Sequence, residues 1–152
     1  MPLRLDVVEG LAQIQDQILG LLQELRSSLG MSIIFVSHDL AVLGELCDQL
    51  AIMYAGRIVE TGPTESVFAD PQHPYTEALM TSVPSFDASA EQLQGIEGRP
   101  PDPRDFPKGC RFAPRCRYAQ DDCTSAVHEL RAVAEGRTTA CIHPELIPRV
   151  KL

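Results

Sequence analysis

The sequence predicts an α/β fold over residues 1–84 and a small, loop-rich, cysteine-containing module over residues 108–152. Three observations lead there. Apolar residues recur at helical spacing ahead of a glycine and an apolar run of strand length. Two β-rich runs flank an Ala-Gly pair. A proline-rich stretch then separates this part from four of the five cysteines.

Ile14, Ile18, Leu21, Leu22 and Leu25 fall on one helical face, which predicts a helix over 14–25, and Gly30 supplies its stop. That stripe is read as a core face, with no site on it. Met31-Ser32-Ile33-Ile34-Phe35-Val36 predicts a strand that is apolar on both faces, as expected for a parallel strand covered by helices. Helix followed by strand is a crossover unit of a parallel sheet. Residues 41–47 predict a short helix, with Cys47 in the core. Leu50-Ala51-Ile52-Met53-Tyr54, a turn at Ala55-Gly56, and Arg57-Ile58-Val59-Glu60-Thr61-Gly62 predict a strand, a turn and a second strand. A helix is predicted over 74–80, since Pro74 at an early helical position loses little by lacking its N–H. His73, just before it in a turn, is given a structural role.

Residues 85–107 form a connector whose Pro100-Pro101-Asp102-Pro103-Arg104-Asp105-Phe106-Pro107 disfavours both helix and central strand. A domain boundary is therefore expected near residue 100, with low complexity over 82–94. The net charge of −8 is uneven: residues 1–100 hold four Lys and Arg against fourteen Asp and Glu, and the remainder nine against seven. An acidic first part argues against nucleic acid, which needs a basic face. No apolar run approaches the roughly 20 residues that cross a bilayer, and the start carries no signal-peptide core, so a cytoplasmic chain is expected.

Two groups of residues carry chemistry. Ligands of open α/β sheets gather beyond the carboxyl ends of the strands, so Ser37-His38-Asp39 at the end of the predicted 31–36 strand makes His38 a candidate. The alternative is a surface histidine beside an Asp39 that caps the next helix. Cys110, Cys116, Cys123 and Cys141 follow C-x5-C-x6-C-x17-C, with His143 close behind. Four thiols so close, without a secretory signal, point towards metal or redox chemistry rather than structural disulfides. An iron-sulfur cluster takes four thiolates and zinc takes four thiolate or imidazole ligands, so both fit, as do free thiols that pack or oxidise.

The run from Ser37 to Gly62 resembles the switch-histidine region of ATP-binding cassette (ABC) transport ATPases. Asp70-Pro71-Gln72-His73-Pro74-Tyr75-Thr76-Glu77-Ala78-Leu79 resembles the His-Pro-Tyr segment of the oligopeptide and dipeptide importer subfamily. Gly109-Cys110-Arg111-Phe112-Ala113-Pro114-Arg115-Cys116-Arg117-Tyr118-Ala119 is similar to that subfamily's C-terminal cysteine motif. The resemblance implies the C-terminal part of a P-loop NTPase-like ABC ATPase domain in residues 1–84. It implies a peripheral subunit on the cytoplasmic side of the inner membrane that drives peptide uptake with MgATP. Its partners would be a second ABC ATPase subunit, membrane permease subunits and, indirectly, a peptide-binding protein. His38 would be the catalytic switch histidine facing the γ-phosphate, since phosphoryl transfer asks mainly for positioning and charge stabilisation. Leu5-Asp6-Val7 resembles the aspartate loop, which makes Asp6 a second nucleotide-binding candidate.

Some members with this cysteine arrangement carry a four-iron, four-sulfur cluster, which would make Cys110, Cys116, Cys123 and Cys141 its ligands, with zinc as the alternative. Arg111, Arg115 and Arg117 would balance its charge. The sequence departs from the subfamily at His128, where a proline is commoner, and at Arg137, where a histidine is commoner. The P-loop pattern G-x-x-x-x-G-K-[ST] does not occur, and the two lysines are Lys108 and Lys151. The resemblance places the P-loop, signature, glutamine loop and Walker B strand upstream of Met1, so the chain alone is expected to be inactive. Two other readings remain: a stand-alone iron-sulfur or zinc module, and a non-functional truncated remnant.

Overall fold

The computed structural model describes residues 5–82 and 95–148. It divides into two compact units, one ending at Leu46 and one beginning at Cys47.

In the first unit, α1 (Leu5–Leu29) begins earlier and ends later than the predicted 14–25, and Gly30 closes it with φ 61°. Asp6, expected in a loop before the helix, lies in its first turn: the run from residue 5 contains no proline to delay helix formation. Arg26 near the helix end donates from Nη1 to the carbonyl of Leu46 at 3.2 Å. The expected 31–36 strand does not form, and Ile34 and Val36 are 95% and 91% exposed. A parallel strand takes its hydrogen bonds from neighbours reached through crossovers, and the described residues supply none beside this run. The stripe expected to face a core is exposed for the same reason at Ile14, Ile18, Leu21 and Leu25, while Leu19 is buried.

The unit closes with α2 (Leu40–Leu46), which buries Val42, Leu43 and Leu46. Its start is capped by Asp39, whose Oδ1 accepts the N–H groups of Ala41 at 3.0 Å and Val42 at 3.4 Å. Cys47 follows this helix and is half-buried, outside the helical core position expected for it.

The second unit is built on β1 (Gln49–Tyr54) and β2 (Arg57–Pro63). Strict alternation buries Leu50, Ile52 and Tyr54 on one face of β1. The two-residue turn between the strands has φ 47° at Ala55 and 79° at Gly56, the double positive φ of a type I′ hairpin. Then come α3 (Thr64–Ala69), which sequence periodicity did not mark, and α4 (Pro74–Ser82), two residues longer than predicted. Residues 83–94, which hold most of the expected low-complexity stretch, lie outside the described residues.

The cysteine segment adds β3 (Arg131–Ala134) and β4 (Arg137–Thr139), joined through Gly136 at φ 66°. All pairings are antiparallel, in the order β1-β2-β4-β3, with Glu60 opposite Thr139 and Thr61 opposite Thr138. The sheet is therefore a mixed-class antiparallel ribbon rather than the expected parallel sheet. The two compact units meet at 46/47, and within the second of them β4 pairs with β2 across the connector.

Candidate metal centre

The His-Pro-Tyr segment forms the floor on which the cysteine segment rests. His73 is 1% exposed, and its Nδ1 accepts the N–H of Tyr75 at 3.1 Å. Burial pulls its pKa down to about 4, so it is a neutral packing group, matching the structural role given to it. Phe112, 2% exposed, stacks on this floor, with ring centroids 5.2 Å from Tyr54, 5.5 Å from Tyr75 and 6.1 Å from His73. Phe112 thereby fixes the loop between Cys110 and Cys116.

A buried ion-pair network holds the other side. Glu60 is fully buried at the β2 position facing β4, and its two carboxylate oxygens accept the N–H groups of Gln72 at 2.9 Å and His73 at 3.0 Å. Arg137 donates to Glu60 at 3.2 Å and lies 3.6 Å from the Asp70 carboxylate. Burial pushes the Glu60 pKa up, while these donors and Arg137 pull it back. Thr139 donates to the Gln72 carbonyl at 2.9 Å, and its Oγ1 accepts the Cys141 N–H at 3.1 Å. The network thus runs from the start of α4 to the last cysteine.

Gly109 brings the first and third cysteines together. The Cys110 N–H donates to the Cys123 carbonyl at 2.8 Å. A Cβ at Gly109 would stand 2.3 Å from that same oxygen, so the two backbones meet only because residue 109 has no side chain. Cys110, Cys116, Cys123 and Cys141 line a single cavity, together with His128 and His143. None of the chain's five cysteines is in a disulfide.

The Gln120 N–H donates to the Cys123 sulfur at 3.5 Å. Backbone N–H groups of Phe112 and Ala113 beside Cys110, of Tyr118 beside Cys116 and of His143 beside Cys141 favour the thiolate. Opposing them, burial and mutual repulsion among the four sulfurs raise the pKa of Cys110 and Cys116 and push Cys141 up to about 12. Four cysteines lining one cavity are the soft donor set that a thiolate-bound metal would draw on.

The arginines of the cysteine motif are engaged elsewhere. Arg111 donates to the Ala55 carbonyl and lies over the Phe106 ring at 3.7 Å. Arg115 donates to the carbonyls of Glu97 at 2.8 Å and Ile96 at 2.9 Å, tying the connector down. Arg117 pairs with Glu77. Each of these three guanidinium groups thus has a partner of its own in the fold.

His143 is held between carboxylates, with Nε2 2.9 Å from Asp122 and Nδ1 3.2 Å from Glu145. The Asp122 carboxylate raises its pKa first, opposed by slight desolvation and helped by Glu145. Asp122, Cys123 and His143 present ligand atoms all within 4.8 Å of one another, a small O/S/N set beside the four sulfurs. The clamp on His143 and the Glu60–Arg137 pair escaped sequence reading, because both join residues far apart in the chain.

Comparison with known proteins matches residues 59–123 to the family described as "Oligopeptide/dipeptide transporter, C-terminal region". Residues 59–123 carry the C-terminal region of the oligopeptide/dipeptide transporter family. The matched segment spans the His-Pro-Tyr floor and three of the four cysteines. A putative peptide import ATP-binding protein of Brucella abortus (strain 2308) is 44% identical over 128 residues, covering 84% of this chain and 38% of that protein. A second protein of that description, from Brucella ovis, is 42% identical over 134 residues, covering 88% of this chain and 42% of that protein. The chain thus spans about two fifths of the length of these relatives.

The nucleotide candidates, His38 and Asp6, lie in the other unit. His38 is exposed, in a bend after the irregular 31–36 run, and next to the capping Asp39. The expected Asp39 cap is present, and no strand carries His38. Asp6 lies within α1. The structure does not bring these two residues into a described site.

Proposed function

We propose that this chain supplies the C-terminal part of the ATP-binding, energy-coupling subunit of a peptide importer. The observation that carries the reading is the 44% identity over 128 residues to a protein described as a putative peptide import ATP-binding protein. In the intact subunit, residues 1–84 complete the ATPase domain, 85–107 connect, and 108–152 form the cysteine module. The apolar stripe of α1 and the unpaired 31–36 run are surfaces that the rest of such a domain would cover. No described helix is long and apolar enough to cross a membrane, which suits a peripheral subunit on the cytoplasmic face. Permease subunits, a second ATPase subunit and, indirectly, a peptide-binding protein are its partners.

MgATP is the nucleotide in that subunit, with the P-loop supplied by sequence beyond this chain. His38 places its imidazole beside the γ-phosphate and the attacking water, and Asp6 contributes from the segment before it. Cys110, Cys116, Cys123 and Cys141 hold a four-iron, four-sulfur cluster, with zinc as the alternative occupant. Such a group would supply cross-linking of three loops and, if iron-sulfur, an electron-carrying centre.

The test restores the missing N-terminal portion from a relative and assembles the subunit with its permease. His38→Ala should lower ATP turnover far more than nucleotide affinity, because the imidazole acts on the transition state. Equal losses, or none, would return His38 to a surface role. The compactness of the second unit favours a second reading, a metal-binding module that folds without the ATPase part. Metal uptake by residues 47–152 expressed alone supports it, and failure of that piece to fold removes it.

A further inference from the structure

Three places in the fold offer groups that could meet a ligand or partner. The apolar stripe on α1 belongs to the ATPase reading. The Asp122–His143–Glu145 cluster is satisfied within itself. The third place is His128. Its Nε2 is fully shielded from solvent and has no hydrogen-bond partner, and its ring lines the cavity shared by the four cysteines. Among the described residues, the other such buried side-chain atoms are Thr76 Oγ1 and Arg137 Nε, and neither residue lines that cavity.

An orphaned buried imidazole nitrogen is costly unless its partner arrives with a ligand. The same cavity is lined by Cys110, Cys116, Cys123 and Cys141, and the Cys123 sulfur already accepts the Gln120 N–H, so sulfur is the acceptor chemistry the cavity offers. Four thiolates complete the ligand set of one tetrahedral cation, or of a four-iron cluster, and leave no coordination position for a fifth protein ligand. A fifth polar group in such a cavity belongs in the surrounding shell.

We propose that His128 is a positioning residue of the cysteine site: in its Nε2–H tautomer it donates a hydrogen bond to the sulfur of a metal-bound thiolate. This inference rests on the four-thiolate reading above. It assigns a task to the residue that stands where the subfamily commonly has proline, a side chain with no donor. The N–H···S bond withdraws charge from the sulfur, and so tightens the hold on the cation and raises the reduction potential of an iron-sulfur occupant.

The experiment uses the full chain, purified metal-free and loaded with ¹¹³Cd²⁺ as a diamagnetic thiolate-binding probe. Wild type should take one cadmium with a tetrathiolate chemical shift. His128 should show the Nε2–H tautomer, with a scalar correlation between that proton and ¹¹³Cd through the sulfur. His128→Phe should keep the cadmium and the fold, lose the correlation, shift the ¹¹³Cd resonance and weaken binding by about tenfold. His128→Asn, which restores an N–H donor, should recover part of the affinity and the shift; it also decides the question if the Phe variant fails to fold. An unchanged cadmium shift and affinity in both variants would overturn the inference and leave the four-thiolate site standing. Loss of one thiolate-like ligand signature on replacing His128, as in Cys141→Ser, would make it a ligand and also overturn the proposal. A wild type that takes no cadmium would instead overturn the four-thiolate reading itself.

Discussion

Lowering the pH should unlock the floor beneath the cysteine site through His73. The side chain is 1% exposed, and its Nδ1 is committed as an acceptor to the Tyr75 N–H, so protonation puts an unpaired charge in the core. Its folded pKa is about 4 against an unfolded value of 6.5. Between those values the unfolded chain binds the proton and the folded chain does not. The contribution of a neutral His73 is therefore complete above pH 6.5 and is lost as the pH falls through 4. At about 1.4 kcal/mol per pH unit, a gap of that size is worth on the order of 3 kcal/mol, most of it gone by pH 4.5. The assay is urea unfolding of the metal-free chain at pH 7.5 and 4.5, followed by tyrosine fluorescence, since the chain has no tryptophan and Tyr54 and Tyr75 pack in this cluster. The comparison is with His73→Asn, whose side-chain oxygen can still accept the Tyr75 N–H but does not titrate. Subtraction removes groups common to both, including His143, whose raised pKa acts with the opposite sign and loses its contribution as pH rises. Equal pH dependence in the two proteins would refute the argument.

Gly109→Ala should drive the Cys110 and Cys123 loops apart, lowering Tm and abolishing tight metal uptake, because the added Cβ meets backbone oxygen at 2.3 Å. Metal-binding titration of the folded variant checks this. Arg137→Met should cost about 3–5 kcal/mol by stranding the Glu60 carboxylate, and adding Glu60→Gln should return part of the loss, as measured by denaturant midpoints in a double-mutant cycle. Serine at any of Cys110, Cys116, Cys123 or Cys141 should bleach or destabilise a reconstituted centre, whereas Cys47→Ser should not; iron, sulfide and zinc assays on one sample report it. Purified as it stands, the chain should show no ATPase above background, checked by phosphate release.

Alternation and turn chemistry made the β1–β2 hairpin legible from sequence: Leu50, Ile52 and Tyr54 face one way, and Ala55-Gly56 takes the two positive φ values. Such signals are local. The α3 helix of six residues is too short for a periodic stripe, and β4, with three, is too short for an alternation. The four cysteines could be counted and their metal or redox chemistry named from residue types alone. Which of them converge, and around what, depended on Gly109, the Phe112 stack and the β2–β4 pairing, contacts between residues tens of positions apart.

Opposite outcomes at two apolar segments mark where sequence stops deciding. The run at 31–36 has the composition of a buried strand, yet Ile34 and Val36 are exposed, because strand formation requires a neighbour to share its hydrogen bonds. By itself the sequence determined the helices with caps and glycine stops, the hairpin turn, and the thiol chemistry of the C-terminal segment, since each is set by the residues at hand. Tertiary structure alone decided that the sheet is antiparallel, that the motif arginines pair with backbone carbonyls and Glu77, and that His128 lines the same cavity as the four cysteines. Those are matters of which groups meet after the chain folds back, and the energy of a buried charge or an orphaned donor depends on the partner it finds there.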